Sequence, residues 1–176
     1  DGDMSTNDTA ILLSPESDKC LSGESLKEFE LSLEYVMNKL AELLVFDGEG
    51  ATKSVKISVI NASNDEDALL IAKAISNSLL VKTAFFGNDP NWGRIACAAG
   101  YSGAKLQEEK LSIYLNKKGL FIKGKPTEID YKDLEDILKN KNYTITIDAG
   151  LGDGEALMLT TDISYDYIKI NASYST

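Results

Sequence analysis

Apolar residues that recur at steps of three and four positions predict two long helices. Over residues 25–46 they form one continuous stripe, and Ser25 followed by Glu28 has the spacing of a capping box at the helix start. A second helix is predicted from Asn64 or Asp65 onward, because an N-cap residue is followed there by acids in the first turn. The side of this helix expected to share one face consists of Leu69, Ala72, Ile75 and Ser76.

Strands are predicted where apolar and polar residues alternate, or where a short apolar run lies between turn residues. The clearest alternation covers residues 53–61. Residues 110–124 are typical of a hairpin, and Gly119 is predicted to supply the positive φ of its turn. The remaining strands are predicted at 9–14, 79–86, 142–149, 156–163 and 165–172.

Two shorter helices complete the predicted order. One begins after Asn88 or Asp89 as N-cap, with Pro90 at the first helical position and small residues continuing to Gly103, and the other covers 130–140. The order β-α-β-α-β-α, followed by mainly antiparallel strands with one helix, predicts an α+β fold. A chain of 176 residues allows one domain of average size or two small ones.

Composition narrows the chemistry that the chain can carry. A net charge of −10 argues against nucleic-acid binding, which requires clustered Lys and Arg. No apolar stretch approaches the roughly 20 residues of a membrane span, and no signal peptide is visible. The absence of histidine excludes a Ser-His-Asp or Cys-His arrangement within these residues and argues against zinc. Two cysteines do not make a disulfide framework; Cys20 lies in a polar loop, and Cys97 is expected to be a small buried thiol.

Two acidic segments suggest sites but have simpler structural interpretations. Residues 1–9, "DGDMSTNDT", resemble the start of an EF-hand, yet Thr6 and Leu12 stand where that loop needs a glycine and a glutamate. A tight turn with side chains bonded to their own backbone is the better interpretation, and no metal is expected. Residues 149–156, "AGLGDGEA", are most simply a turn between two strands.

Two other segments contain candidate functional residues. In residues 47–53, "DGEGATK", Glu49 lies between two glycines at a helix exit, where its carboxylate would point outward from a constrained loop. The segment "GNDPNWGRI" holds the only tryptophan, Trp92, and the only arginine, Arg94. We expect both to be architectural, fixing the start of a capped helix, although Arg94 could also form a bidentate pair with a carboxylate.

Taken together, the motifs resemble one family. "DGDMSTNDT", "EGATK", "VKTAFFGNDPNWGRIACAAG", "GDGEA" and the closing "YIKINASYST" are similar to the β chain of the glutamate N-acetyltransferase / ornithine acetyltransferase (ArgJ) family of arginine biosynthesis. The motifs follow that family's order and extend from the first residue to the last. Any one of them alone would be weak, whereas "GNDPNWGRI", "EGATK" and "INASYST" are specific in combination.

The resemblance implies a layered α/β/β/α sandwich and a cytoplasmic acetyltransferase. Family members are made as a precursor that cuts itself before a threonine, and the resulting α and β chains assemble as an α2β2 heterotetramer. The new N-terminal threonine of β takes the acetyl group of N-acetyl-ornithine, and glutamate then collects it. The α-amine of this threonine can serve as the base, and a Thr-Gly pair of the α chain stabilises the oxyanion. No cofactor is expected, with acetyl-CoA as a possible acetyl donor.

The resemblance also assigns residues and leaves alternatives open. Glu49, Asn171 and Thr176 match the family's substrate-binding positions in this chain. The threonine nucleophile is expected upstream of Asp1, so this chain alone should be inactive. We expect residues 1–90 to belong to the catalytic core and 91–176 to form a C-terminal α+β region, with a boundary between 88 and 106. The alternatives are a self-cleaving aminopeptidase-like hydrolase of related fold and a non-enzymatic acidic binding module.

Overall fold

A six-stranded mixed sheet organises most of the chain. The structure is a computed structural model that describes residues 2–16 and 20–173. The strands are β1 (Ser54–Ala62), β2 (Ser112–Leu115), β3 (Lys118–Ile122), β4 (Lys125–Pro126), β5 (Asn142–Asp148) and β6 (Gly154–Thr161). Their order across the sheet is β4-β3-β2-β5-β1-β6, in which β1 and β5 are parallel and all other neighbours are antiparallel.

The described residues also form six α-helices. They are α1 (Gly23–Phe46), α2 (Asp65–Asn77), α3 (Leu79–Phe86), α4 (Trp92–Gly100), α5 (Lys132–Lys139) and α6 (Tyr165–Ser173), with one 3-10 turn at Glu108–Lys110. The alternation predicted for β1 is confirmed, since Val55, Ile57 and Val59 are fully buried. They join α2 residues such as Ile71 and Ile75 in one hydrophobic core. Burial of these side chains is the main favourable term for this fold.

The α+β class predicted from the sequence is confirmed, and the structure supplies one layer of sheet. On the face away from α2, Ser58 and Leu157 lie opposite each other on β1 and β6, and Leu157 is 56% exposed. The predicted α/β/β/α sandwich needs a second sheet, and the residues described here contain one sheet.

The chain divides into two compact units, Gly2–Leu44 and the residues from Val45 onward. The first contains most of α1, which confirms the long helix predicted over 25–46. It begins at Gly23, however, so Ser25 lies inside the helix and is not its cap. Residues 9–14 form no strand, and the apolar side chains of this segment, such as Leu13, are largely exposed. The prediction of a strand there was wrong, because no strand among the described residues pairs with this segment.

Two predicted strands are helices. Residues 79–86 form α3, in which Ser78 caps the first turn by accepting the N–H of Val81. Val81 and Phe85 are buried one turn apart, so the apolar run has helical spacing. Residues 165–172 lie in α6, where the hydroxyl of Ser164 accepts the N–H of Tyr167.

Three smaller predictions were also wrong. In α2, whose Asn64 cap is confirmed, Leu69 is 40% exposed and Ala68 is buried in its place. The cap of α4 is Asn91 rather than Asn88 or Asp89, since its side chain accepts the N–H of Arg94. In the hairpin the positive φ belongs to Asn116 (+52°), and Gly119 is already paired within β3.

Trp92 and Arg94 join α4 to its neighbours. The Trp92 ring stacks on Phe121 of β3, with centroids 4.8 Å apart. The guanidinium of Arg94 donates to the carbonyl of Leu80 at 2.8 Å rather than to a carboxylate. Both contacts agree with an architectural role. Cys97, on the same helix, is exposed, so the expected buried thiol was wrong.

Within residues 2–16 and 20–173, no single helix combines the length and the hydropathy that a membrane span requires. The pair α2 and α3 meets the criterion only when taken together, and the two helices are bent by 58° at their junction.

Candidate functional site

The loop of residues 47–53 connects α1 to β1 and presents one exposed carboxylate. It forms a tight turn in which the N–H of Ala51 donates to the carbonyl of Gly48 at 3.0 Å. Glu49 lies at the tip of this turn and is exposed. The prediction that a constrained loop directs this side chain outward is confirmed.

Gly50 places this loop directly against α6. Its φ is +65°, a conformation that favours glycine. A Cβ added there would lie 2.4 Å from the backbone nitrogen of Tyr167 and 2.8 Å from the carbonyl carbon of Asp166. The loop and the first turn of α6 are therefore in backbone contact, and no side chain fits between them.

Two buried side chains in the connection between β6 and α6 hold the loop. Asp162, 1% exposed, accepts the N–H groups of Thr52 and Lys53 on one oxygen, at 2.8 and 2.9 Å. Its second oxygen accepts the hydroxyl of Thr52. Ser164, 3% exposed, donates to the carbonyl of Gly50 while it caps α6. The loop is thereby bonded through both its carbonyl and its N–H groups.

Asn171 lies one helical turn beyond this contact. Its side-chain amide donates to the carbonyl of Tyr167 at 2.9 Å, and the residue is exposed. Glu49 and Asn171 thus belong to two segments that touch each other. Thr176 lies outside the described residues. That these three residues bind one substrate stays a prediction.

Two buried lysines surround the same connection. Lys82 of α3 has no exposed surface and donates to the Thr160 hydroxyl at 2.7 Å and the Thr161 carbonyl at 2.8 Å. Burial lowers the pKa of Lys82 to about 8, although the charge of Asp162 opposes the change. Lys53 donates to the carbonyls of Leu138 at 2.6 Å and Asn140 at 3.3 Å, at the C-terminal end of α5. Burial lowers the pKa of Lys53 as well.

Tyr143 lies close to these residues and has an unpaired polar group. Its hydroxyl is buried and has no hydrogen-bond partner in the structure. Burial, followed by the negative charge of Asp162, raises the pKa of Tyr143 well above its ordinary value. Its ring makes an edge-to-face contact with Phe85, at a centroid distance of 5.9 Å. The aromatic body is therefore well packed, while the polar tip is not.

Sequence reasoning missed Asp162, Ser164 and Lys82. Lys82 carried a weak signal, because a single lysine inside the apolar run "LLVKTAFF" is unusual. Asp162 carried none, since its partner Thr52 lies 110 residues earlier in the chain. No local pattern reports a pairing of that separation.

The two acidic segments that were predicted to form turns do form turns in the structure. Near the N-terminus, the N–H of Ser5 donates to a carboxylate oxygen of Asp8 at 2.9 Å, as in a tight turn. Residues 149–153 connect β5 to β6, and the N–H of Glu155 is held by the carboxylate of Asp65 at 2.9 Å. Among the described residues, no group of three or more Cys, Asp or Glu side chains is arranged to hold a metal ion.

Two surface depressions lie away from the 47–53 loop. One of about 350 Å³ is lined by Lys110, Tyr114 and Lys123, and another of about 330 Å³ lies beside Ser58 and Leu157. Neither includes Glu49 or Asn171. Because Glu49 and Asn171 are both exposed, the candidate site on this chain is a loop-and-helix surface.

The fold and the site define a histidine-free α+β chain that fixes an acidic loop against its C-terminal helix. All of residues 1–176 match the model of the ArgJ family. The chain is 46% identical to the arginine biosynthesis bifunctional protein ArgJ of Geobacter sulfurreducens, covering 100% of this chain and 46% of that protein. It is 44% identical to the glutamate N-acetyltransferase of Methanocaldococcus jannaschii, with the same two shares.

A solved structure agrees with these matches. The crystal structure of arginine biosynthesis bifunctional protein ArgJ from Bacillus halodurans superposes with a TM-score of 0.88 at 34% identity, covering 99% of this chain and 84% of that one. The chain belongs to the ArgJ family. It spans about half the length of the curated relatives that it matches.

Proposed function

We propose that this chain supplies the amino-acid-binding part of an acetyltransferase. The complete enzyme moves the acetyl group of N2-acetyl-L-ornithine to L-glutamate in arginine biosynthesis, through an acetyl-threonine intermediate. Membership of the ArgJ family supports this proposal, as do relatives named for glutamate N-acetylation and for arginine biosynthesis. We expect the reaction to take place in the cytoplasm.

The observation that carries the proposal is the contact between Gly50 and Tyr167. It brings the loop of Glu49 against the helix that carries Asn171, which supports a shared binding surface for the carboxylate and the amide. Ornithine and glutamate share an α-ammonium and an α-carboxylate, whereas N2-acetyl-ornithine, whose α-nitrogen is acylated, keeps the α-carboxylate and the ammonium of its side chain. The carboxylate of Glu49 suits the ammonium, whereas the Asn171 amide and the Thr176 hydroxyl can donate to a carboxylate.

The nucleophile and the oxyanion donors belong, in this proposal, to other segments. The family resemblance assigns the attacking hydroxyl to a threonine upstream of Asp1 and the oxyanion donors to an α chain. The absence of histidine agrees with this division, because an N-terminal threonine can use its own α-amine as the base. The complete enzyme would be an α2β2 heterotetramer, in which acetyl-CoA is a possible further acetyl donor.

Glu49→Gln in the complete enzyme tests the proposal. It removes one charge with little change of shape, and a charge-assisted hydrogen bond contributes about 1.5–3 kcal/mol. We therefore expect KM for N-acetyl-ornithine or glutamate to rise roughly ten- to hundredfold, with a smaller change in kcat. Steady-state transfer assays with each substrate varied in turn measure both constants.

Asp47→Asn is the matched control, because it removes the same charge from an exposed residue two positions earlier in the chain. It should leave KM close to the wild-type value. If the two variants behaved alike, the effect would be one of general charge, and Glu49 would have no specific role. Unchanged KM for both substrates in Glu49→Gln would also refute the assignment.

A further inference from the structure

Asp162 combines three features that are rare in one acid. It is 1% exposed, it lies immediately after β6, and among the described residues every hydrogen bond that it accepts comes from the 47–53 loop. A buried carboxylate is costly unless its oxygens are satisfied. Here the donors are the backbone N–H groups of Thr52 and Lys53 and the hydroxyl of Thr52, so the loop and the acid stabilise each other.

The bonds of Asp162 fix the exit of the loop, and Ser164 fixes its middle. Ser164 holds the carbonyl of Gly50, the residue that follows Glu49. Thr52 and Lys53 then lead directly into β1, whose first residue is Ser54. The backbone on the C-terminal side of Glu49 is therefore anchored at successive positions to the β6–α6 connection.

The charge of Asp162 also matters to the two buried lysines. It opposes the decrease in pKa that burial causes at both Lys53 and Lys82. Removing the acid would therefore disturb more than the loop. Thr52 offers a cleaner perturbation, because its hydroxyl bonds only to Asp162 among the contacts of the described residues and carries no charge.

We propose that Asp162 is a positioning residue that, through Thr52, holds the Glu49 carboxylate in its binding orientation beside α6. The inference rests on the proposed function, since it assigns a consequence to the orientation of Glu49. Asp162 itself is not accessible to a substrate, because it is 1% exposed and both of its oxygens accept hydrogen bonds from the loop. It acts through Glu49 and does not touch the substrate.

The test uses Thr52→Val and Thr52→Ser in the complete enzyme, each with Glu49 and with Glu49→Gln. Valine removes the hydroxyl that bonds to Asp162, and serine keeps it. We expect Thr52→Val to raise KM about tenfold, with kcat changed less than about twofold, and Thr52→Ser to restore most of the loss. In the Glu49→Gln background, Thr52→Val should add less than about twofold, because residues that act as one unit are not additive.

A second measurement follows the loop directly and does not depend on catalysis. Thr52→Val should increase hydrogen exchange of the amides of residues 52 and 53 by about tenfold, while the amides of β1 and β5 stay protected. An increase spread evenly over the sheet would mean general destabilisation and would overturn the inference.

The outcomes separate the two proposals. If Glu49→Gln leaves KM unchanged, the proposed role of Glu49 fails, and the inference fails with it even if exchange is local. If Glu49→Gln raises KM but Thr52→Val multiplies that rise in full, only the inference fails. Equal effects of Thr52→Val and Thr52→Ser would likewise overturn the inference alone.

Discussion

Replacing Lys82 by methionine should change how the stability of this chain depends on pH. Lys82 has no exposed surface, and its ammonium is held by the Thr160 hydroxyl and the Thr161 carbonyl. Neither group carries a full negative charge, so the charge is poorly compensated. Burial accordingly lowers the pKa of Lys82 from 10.5 to about 8 in the folded chain.

The sign follows from proton binding in the two states. Between pH 8 and 10.5 the unfolded chain retains the proton on Lys82, whereas the folded chain loses it. Because the unfolded state binds more protons there, the free energy of unfolding rises with pH. A decrease of about 2.5 in pKa corresponds to about 3 kcal/mol over the full interval, of which about 2 kcal/mol falls between pH 7 and 10.

Denaturant unfolding at several pH values, followed by the fluorescence of the single Trp92, measures this difference. As pH rises from 7 to 10, the free energy of unfolding of the wild type should increase by about 2 kcal/mol relative to that of Lys82→Met. Groups other than Lys82 titrate in both proteins and cancel in the comparison. Lys73→Met, which removes an exposed lysine from α2, is the control, and its free energy of unfolding should depend on pH as that of the wild type does. Equal pH slopes for wild type and Lys82→Met would refute the reasoning.

Two further changes test the packing around the site. Tyr143→Phe removes a buried hydroxyl that has no partner and should raise the free energy of unfolding by about 1 kcal/mol, measured by denaturant titration; a loss of stability would show that the hydroxyl is satisfied. Trp92→Ala removes a half-buried ring stacked on Phe121 and should lower the free energy of unfolding by about 2 kcal/mol, measured by circular dichroism, and weaken assembly with the α chain of the proposed heterotetramer. Normal melting and assembly combined with lost ornithine binding would contradict the architectural role of Trp92.

Local periodicity was sufficient to predict the type of those elements whose apolar repeat lies within one segment. In β1, alternate residues enter the core, and in α1 the apolar stripe follows the helical repeat. It failed for α3, because an apolar run of eight residues fits a buried strand and a buried helix equally well. It failed for α6 because Tyr165, Tyr167 and Asn171 happen to alternate with Ile168 and Ile170, as in a strand. The cap at Ser164 and the backbone contact at Gly50 favour the helix there.

The candidate site was predictable only in part, for a related reason. Glu49 stands out because the glycines beside it are visible in the sequence, and their effect on the backbone is local. The groups that hold its loop, Asp162 and Ser164, are separated from it by more than 100 residues. Their importance depends on the sheet register that brings the end of β6 beside the start of β1.

Asp162 and Glu49 are chemically similar acids whose different burial gives them different roles. Asp162 is 1% exposed and accepts hydrogen bonds from the loop on both oxygens, so it is not accessible to a ligand. Glu49 lies outside on that same loop, so its charge remains available to a cation. A free carboxylate on a flexible loop would lose conformational entropy each time it bound a ligand. Anchoring the loop with a buried acid meets that cost during folding, which is why the two residues should be studied as a pair.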